Sequence, residues 1–222
     1  MKTTIAVIGG TGALGFGLTW RLARAGYPIV VGSRTAAKAK EAVCKIEVAN
    51  GPAPIGATNA EAAKLGEIIV VTVPWNSQTA ILDEIKSHVG GKLLIDTTVP
   101  LVPPKVARVQ LPPMGSAAMT AQNLLGDSVR VVSAFHNVAA QKLVKSDPLD
   151  CDILVFGDEP KDRDVVVAIV NAIGLRGLHG GPLANSAAAE ALTSVLIGIN
   201  KKYASDGAGI HITNIDPRQP AP

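Results

Sequence analysis

The chain reads as an α/β protein: a doubly wound, mostly parallel sheet with a small C-terminal helical extension. Three features lead there. Its apolar segments are near-continuous β-branched runs, as expected of strands buried on both faces. Helical segments fall between them, so strand and helix alternate along the chain. The first strand passes through a glycine-rich turn directly into a helix.

In chain order the strands are "TTIAVIG" (3–9), "YPIVVG" (27–32), "EIIVVTV" (67–73), "KLLIDT" (92–97), "VRVVSAF" (129–135) and "CDILVFG" (151–157). Between the first two, "GALGFGLTWRLARAG" (12–26) places Leu14, Leu18 and Leu22 on one stripe and stops at Gly26. The next helix is "TAAKAKEAVCKIEVANG" (35–51), with Thr35 as its N-cap. "NAEAAKLG" (59–66) and "NSQTAILDEIKSHVGG" (76–91) follow, opening on Asn59 and Asn76 in the same capping role. "EPKDRDVVVAIVNAIG" (159–174) is a further helix with a glycine stop. Residues 100–115 carry five prolines and are expected to form an irregular loop. That loop follows a strand's carboxyl end, where ligand loops belong. A last helix (184–205) leads to a glycine-rich turn and "GIHITNI" (209–215). These patterns divide the chain into a sheet domain (1–180), a small helical part (181–215) and a disordered tail (216–222).

Composition excludes several functions. A hydrophobic content of 47% over 222 residues supports a sizeable core. Aromatics at 3% argue against base-stacking surfaces, and a net charge of +3 is too small for a nucleic-acid partner. That mild excess suits anionic small-molecule ligands. Cys44 and Cys151 form no CxxC pair, and no His/Cys group has metal-ligand spacing. Free thiols and the absence of a signal-peptide pattern point to the cytoplasm. The most apolar helix segment (184–199) is interrupted by Asn185, Ser186, Glu190 and Thr193 and falls short of a membrane span.

The turn "GGTGALG" holds Gly10, Gly12 and Gly15 in GxGxxG spacing between a strand and a helix, the context that a dinucleotide-binding Rossmann fingerprint requires. Gly10 is assigned the tight turn, Gly12 the close approach of a pyrophosphate, and Gly15 the helix–strand contact. The helix start then offers unpaired N–H groups and a positive dipole end to phosphates. The second strand ends in "GSR" instead of the carboxylate an NAD site places on the ribose. Ser33 donates a hydrogen bond, Arg34 can grip a 2′-phosphate bidentately, and Lys38 lies four residues on. The loop is therefore read as built for NADP(H).

Crevice loops at Thr72–Trp75, Thr97–Leu101 and Ala134–Val138 are mostly small and apolar. No Tyr-x-x-x-Lys pair and no nucleophile elbow occurs. A site poor in acids and bases suits direct hydride passage between two stacked rings, driven by orientation and exclusion of water. His136 either bonds a ring carbonyl of the second substrate or holds loop backbone. Trp75 either walls the nicotinamide pocket or packs on the following helix. Asp96 reads as a loop cap.

Taken together, "IGGTGALGFGL", "VVGSR", "VTVPW", "TTVPLVPP", "VVSAFHNVAA", "GPLANS" and "EALTSVLIGIN" resemble the NADPH-dependent reductases of the deazaflavin coenzyme F(420), to about Ile215. The resemblance implies hydride exchange between NADP(H) and the deazaflavin, with no tightly held flavin or metal. It implies that Thr11, Gly12, Ala13 and Leu14 hold the pyrophosphate and that Ser33, Arg34 and Lys38 match the 2′-phosphate clamp, with Gly9 and Gly10 counted as cofactor-binding beside them. It implies that Val73 and Pro74 border the nicotinamide half, and Thr72, Trp75 and Pro100 are further cofactor-binding candidates. It places His136 and Val138 at the ring-stacking site and brings Ala208 back to the nicotinamide through its backbone. It also implies a homodimer through the C-terminal helical part, which would close the active site. Lys105, Arg108, Lys142 and Lys145 are candidates to meet the coenzyme's anionic tail. Two other readings remain open: another NADPH-dependent reductase with an imine or ferric-flavin acceptor, and a non-enzymatic NADP-binding sensor.

Overall fold

The computed structural model describes residues 2–48, 51–145 and 149–215. The expected tail at 216–222 lies outside them. The strands are β1 (Ile5–Ile8), β2 (Ile29–Ser33), β3 (Ile55–Thr58), β4 (Ile68–Val71), β5 (Leu93–Asp96), β6 (Arg130–Ser133), β7 (Asp152–Phe156) and β8 (Arg176–Gly181). They form one sheet in the order β3-β2-β1-β4-β5-β6-β7-β8. All pairs up to β6 are parallel. β7 runs antiparallel to β6 through a Ser133–Phe156 pair, and β8 is parallel to β7.

The continuous apolar runs are explained by helices on both faces. In β1, Ile5 and Val7 point to one side, with Leu18 and Leu22 of α1 (Ala13–Arg24) and Val166, Ile169 and Val170 of α7 (Pro160–Ala172). Ala6 and Ile8 point to the other. There they meet Ala62 and Ala63 of α3 (Asn59–Leu65), Leu82 and Ile85 of α4 (Trp75–Ile85), and Ala121 and Leu125 of α5 (Ala117–Leu125). Each fully buried Ile or Leu contributes about 1.5–3 kcal/mol, so neither face can be spared. The remaining helices are α2 (Ala36–Val43), α6 (Ala140–Leu143) and α8 (Ser186–Tyr203).

Several boundaries differ from the sequence expectation. α2 stops at Val43 and does not run on to residue 51. β3 and β8 were not anticipated, because "IGAT" and "RGLHGG" are short, glycine-bearing and not β-branched runs. α5 and the short α6 were likewise unforeseen. Asn59 is not an N-cap. Thr58 is, in a capping box with Glu61. Asn76 sits inside α4, whose N-cap is Pro74 with φ −61°. Thr35 does occupy the N-cap position of α2, without a side-chain hydrogen bond. The proline-rich segment is irregular as expected, from the end of β5 to Ser116.

The strand order reverses beside β1, where β2 and β4 leave in opposite directions. Open α/β sheets bind ligands at that switch point, outside the strand carboxyl ends. The glycine turn lies there.

Candidate functional site

A cleft of about 290 Å³ opens at the switch point, lined by Gly9, Thr11, Gly12, Ser33, Arg34, Asn59, Thr72, Val73, Pro74, Ser77 and Ile81. The turn that forms its floor needs glycine for different reasons at different positions. Gly9, not Gly10, takes the left-handed conformation, with φ +72°. Gly10 is instead pressed between strands: a Cβ there would lie 2.8 Å from the Val7 carbonyl oxygen and 2.9 Å from Val31 Cγ1. At Gly15 a Cβ would collide with Thr72 Oγ1 and the Gly10 Cα, which matches the close helix–strand contact expected. At Gly12 it would meet only the Gly9 oxygen, at 3.5 Å. Gly12 thus faces space, as a residue against which a phosphate rests should. It is the N-cap of α1 and brings no capping side chain, and the first turn holds no acidic residue. The positive end of the helix is left for an anion.

At the ribose end, Ser33 is buried and Arg34 is exposed on the cleft rim. The lining contains no carboxylate. Lys38 stands exposed on α2, outside the residues that line the cleft. Gly10, Ala13, Leu14 and Trp75 also lie outside that set, and Trp75 is half-buried at the start of α4. Thr72 lines the cleft, but its hydroxyl donates to the Ile8 carbonyl at 2.8 Å. The side chain therefore ties β4 to β1. Thr97 repeats the device one strand on, donating to Val71 at 2.8 Å.

His136, Val138 and Ala208 gather elsewhere, in a second pocket of about 150 Å³ with Asn137, Gln141, Thr193 and Asn200. Pro100 is buried and lines neither pocket. His136 is 6% exposed, and both its ring nitrogens lack a hydrogen-bond partner. Burial pushes its pKa down to about 4, so the imidazole is neutral at ordinary pH. Phe135 beside it adopts φ +67°, a strained setting for a bulky buried residue. α8 holds this loop in place: Asn137 Nδ2 donates to the Ala189 carbonyl at 2.9 Å, and Thr193 Oγ1 to the His136 carbonyl at 2.9 Å. Thr98 Oγ1 and Ser133 Oγ, past and at the ends of β5 and β6, are also buried without partners. Buried polar atoms are rarely left so, and Thr98, Ser133 and His136 all lie at or just past the carboxyl ends of β5 and β6.

A buried polar network lies beneath. Asp96 accepts from the Thr98 N–H at 2.9 Å and from Gln78, as the loop cap expected. Gln78 also donates to the Ala117 carbonyl at 3.2 Å. Glu190 of α8 accepts from the N–H groups of Ala117 and Ala118, at 2.6 and 3.2 Å. Burial raises the Asp96 pKa, and it raises that of Glu190 to about 8 against its two backbone hydrogen bonds.

Residues 4–100 match the family described as NADP oxidoreductase coenzyme F(420)-dependent. The F(420)-dependent NADP reductase of Methanocaldococcus jannaschii is 40% identical over 222 residues, which cover 96% of this chain and 99% of the relative. That of Methanothermobacter marburgensis is 41% identical, covering 95% of this chain and 98% of the relative. The chain belongs to this reductase family. The fold agrees. A crystal structure of a candidate F(420)-dependent NADP-reductase from Arthrobacter superposes with a TM-score of 0.83 at 21% identity, covering 96% of this chain and 100% of the other.

Three residues lining the cleft carry no binding role in the sequence reading. Asn59 was read as a cap. It is 1% exposed, and its Oδ1 accepts from the Gly9 N–H at 3.3 Å. The T-x-x-E pattern at Thr58–Glu61 signals that Thr58 is the cap and that Asn59 is free for other work. Ser77 and Ile81 lie four apart on α4 and so share a face. No helix among the described residues is long and apolar enough to cross a membrane, and none of their acidic, His or Cys groups is arranged to hold a metal.

Proposed function

We propose that this chain transfers a hydride directly between NADP(H) and the deazaflavin coenzyme F(420). The observation that carries the nucleotide half is the cleft: an uncapped α1 start, Gly12 facing open space, and Arg34 with Ser33 at the ribose end of a lining without carboxylates. These residues fit a dinucleotide with a 2′-phosphate. Thr11, Gly12, Ala13 and Leu14 would hold the pyrophosphate through backbone N–H groups, and Arg34 the 2′-phosphate. Lys38 would add a longer-range charge from α2. The second coenzyme is supported by the full-length identity to reductases named for it. That favours this reading over an imine or ferric-flavin reductase and over a sensor.

The bound coenzymes would supply the hydride donor and acceptor. The chain's part is placement. Val73 and Pro74 at the cleft wall orient the nicotinamide half. His136 is neutral and unpartnered, and its buried imidazole would have to turn outward to give an N–H or a lone pair to a polar ring edge. The pocket shared by His136, Val138 and Ala208 keeps water from the rings.

We read residues 181–215 as an extension packed on the sheet domain: the 180/181 boundary lies inside β8, and α8 buries Glu190 against α5. A homodimer through α8 has support in the exposed Val195, Ile199 and Tyr203 on that helix. Cys44 and Cys151 are both free thiols, which fits a reducing cytoplasm.

The test is to mix the protein with NADPH and oxidised coenzyme F(420) and follow the deazaflavin's visible absorbance. Rapid bleaching with NADPH and little with NADH is the expected result. No bleaching, from protein that binds NADPH, rejects the function.

A further inference from the structure

α8 ends at Ala204 in the left-handed conformation, φ +51°, and the chain turns back across the sheet domain as a strap without regular structure. The strap is stitched down at separate points. Asn200 Oδ1 accepts from the Ala208 N–H at 2.7 Å. Gln141 Nε2 donates to the Asp206 carbonyl at 2.5 Å, and Lys142 pairs with the Asp206 carboxylate at 2.9 Å. Gly207 and Gly209 lie so close to the body that a Cβ on either would fall 2.5 Å from Ala139 Cβ or 2.6 Å from Cys151 Cβ. Beyond them the Asp152 N–H donates to the Ile210 carbonyl at 2.8 Å.

The strongest anchor is a charge pair. Asp152 and Arg176 are directly opposite on β7 and β8. Arg176 Nε and Nη2 each reach an Asp152 carboxylate oxygen at 2.5 Å. The same two side chains then take hold of the strap. Asp152 Oδ2 accepts from the Ile212 N–H at 2.5 Å, and Arg176 Nη2 donates to the Ile212 carbonyl at 2.7 Å. Asp152 is 1% exposed, yet its hydrogen bonds from Arg176 and Ile212 hold its pKa below the usual carboxylate value. The pair joins β7 to β8 across the ladder, and its further hydrogen-bonding positions go to the strap backbone at Ile212. Between the anchors at Asn200 and at Asp152, the strap contributes Ala208 to the pocket that holds His136 and Val138.

We propose that Asp152 and Arg176 are positioning residues for the reaction: they clamp the strap Gly207–Ile212 so that Ala208 closes the ring pocket. The inference rests on the proposed reading that this pocket borders the deazaflavin where it stacks on the nicotinamide held at Val73 and Pro74. It adds a device some distance from the chemistry whose failure would loosen ring alignment without touching the phosphate grip. A displacement of about 1 Å can cost on the order of 100-fold in rate.

The experiment compares wild type with Asp152→Asn and Asn200→Ala, which release the strap from opposite ends. Four readouts are taken: binding of 2′,5′-ADP, amide exchange at Ala208–Ile212, emission of bound NADPH, and kcat and KM with the deazaflavin. The expected result has 2′,5′-ADP affinity within about two-fold, strap exchange faster by about ten-fold or more, weaker dihydronicotinamide emission, and kcat lower by about ten-fold. Arg176→Lys should recover part of the emission and of kcat, keeping the charge without the fork. Faster strap exchange with unchanged emission and kcat overturns the proposal, and so does exchange that does not change. If Asp152→Asn loses 2′,5′-ADP binding through unfolding, Arg176→Gln decides, since it frees the Ile212 carbonyl and leaves the pocket lining unchanged. If wild type fails to reduce the deazaflavin, the function proposed above falls, while NADPH emission still reads the clamp.

Discussion

Arg34→Ala tests the cleft assignment most directly. Arg34 stands at the rim, exposed, in a lining without carboxylates. A guanidinium and a phosphate oxygen about 4 Å apart interact by about 1 kcal/mol per unit charge in bulk water and about 4 kcal/mol at an effective dielectric near 20. The exposed rim puts the pair toward the lower figure, and the fork geometry and the phosphate's second charge raise it. The expected loss is about 1–3 kcal/mol for NADPH, or roughly 5- to 150-fold in Kd. NADH, which lacks the 2′-phosphate, should change by less than about two-fold. The assay is equilibrium titration of both nucleotides at low and at moderate salt. The NADPH-specific loss should shrink as salt rises, since an exposed pair is screened within about 10 Å at 0.1 M. Equal loss for both nucleotides, or a loss indifferent to salt, would refute the placement of the ribose over Ser33 and Arg34.

The glycines separate binding from folding. Gly12→Ala has room in the protein and a backbone that alanine accepts, so melting should shift by less than about 2 °C while NADPH and NADH both bind at least about ten-fold more weakly. Gly15→Ala forces a Cβ onto Thr72 and Gly10, so it should cost about 1–3 kcal/mol in denaturant unfolding. Asn59→Ala leaves the Gly9 N–H without its acceptor, at a cost of about 1–3 kcal/mol, and weakens both nucleotides alike; unchanged melting and binding would show that Asn59 does not brace the turn. The pH profile of melting should fall on both sides. The folded pKa of His136, about 4, lies below its ordinary 6.5, so its stability is present above pH 6.5 and lost as pH drops through 4. The folded pKa of Glu190, about 8, lies above its ordinary 4.5, so stability is lost as pH rises from 4.5 through 8. Glu190→Gln should flatten the alkaline limb and leave the acid limb; an unaltered alkaline limb would mean Glu190 is not its source.

What could be read in the sequence was what repeats or sits in a compact motif. β1, β4 and β5 announce themselves because both faces of each strand are covered, leaving no polar alternation. The glycine turn and "GSR" are contiguous, and contiguous chemistry survives without coordinates. β3 and β8 escaped because their glycines let helices come close, which is a packing property and not a periodic one. Gly56 and Gly177, in their midst, each abut a helix, α2 and α7. The tight turn assigned to Gly10 rests on Gly9, at φ +72°, because two adjacent glycines leave the sequence unable to say which one turns. Residues that act across long separations were least visible. Asn59 meets Gly9, Glu190 meets Ala117, and Asp152 meets Ile212, and nothing local distinguishes any of them from an ordinary cap, helix-surface or strand-edge polar group.

The distribution of charge across the two pockets bears on the chemistry. When a hydride leaves a dihydronicotinamide, that ring gains positive charge and the acceptor gains negative charge. A carboxylate near the first ring would favour transfer one way, and a fixed cation near the second would reinforce it. Of the residues lining the two pockets, only Arg34 carries a charge at neutral pH, and it stands at the ribose end. The pocket proposed to border the rings offers neutral groups: His136, Asn137, Gln141, Thr193 and Asn200. Glu190, the carboxylate buried beneath, is turned to the α5 backbone and is driven toward its neutral acid form by the same burial. A site of this kind lowers the barrier by alignment and by exclusion of water, and its fixed charges favour neither oxidation state. On the proposed placement, affinity and coenzyme choice rest on the phosphate end, where Arg34 supplies the charge. The direction of transfer is left to the two coenzyme pools.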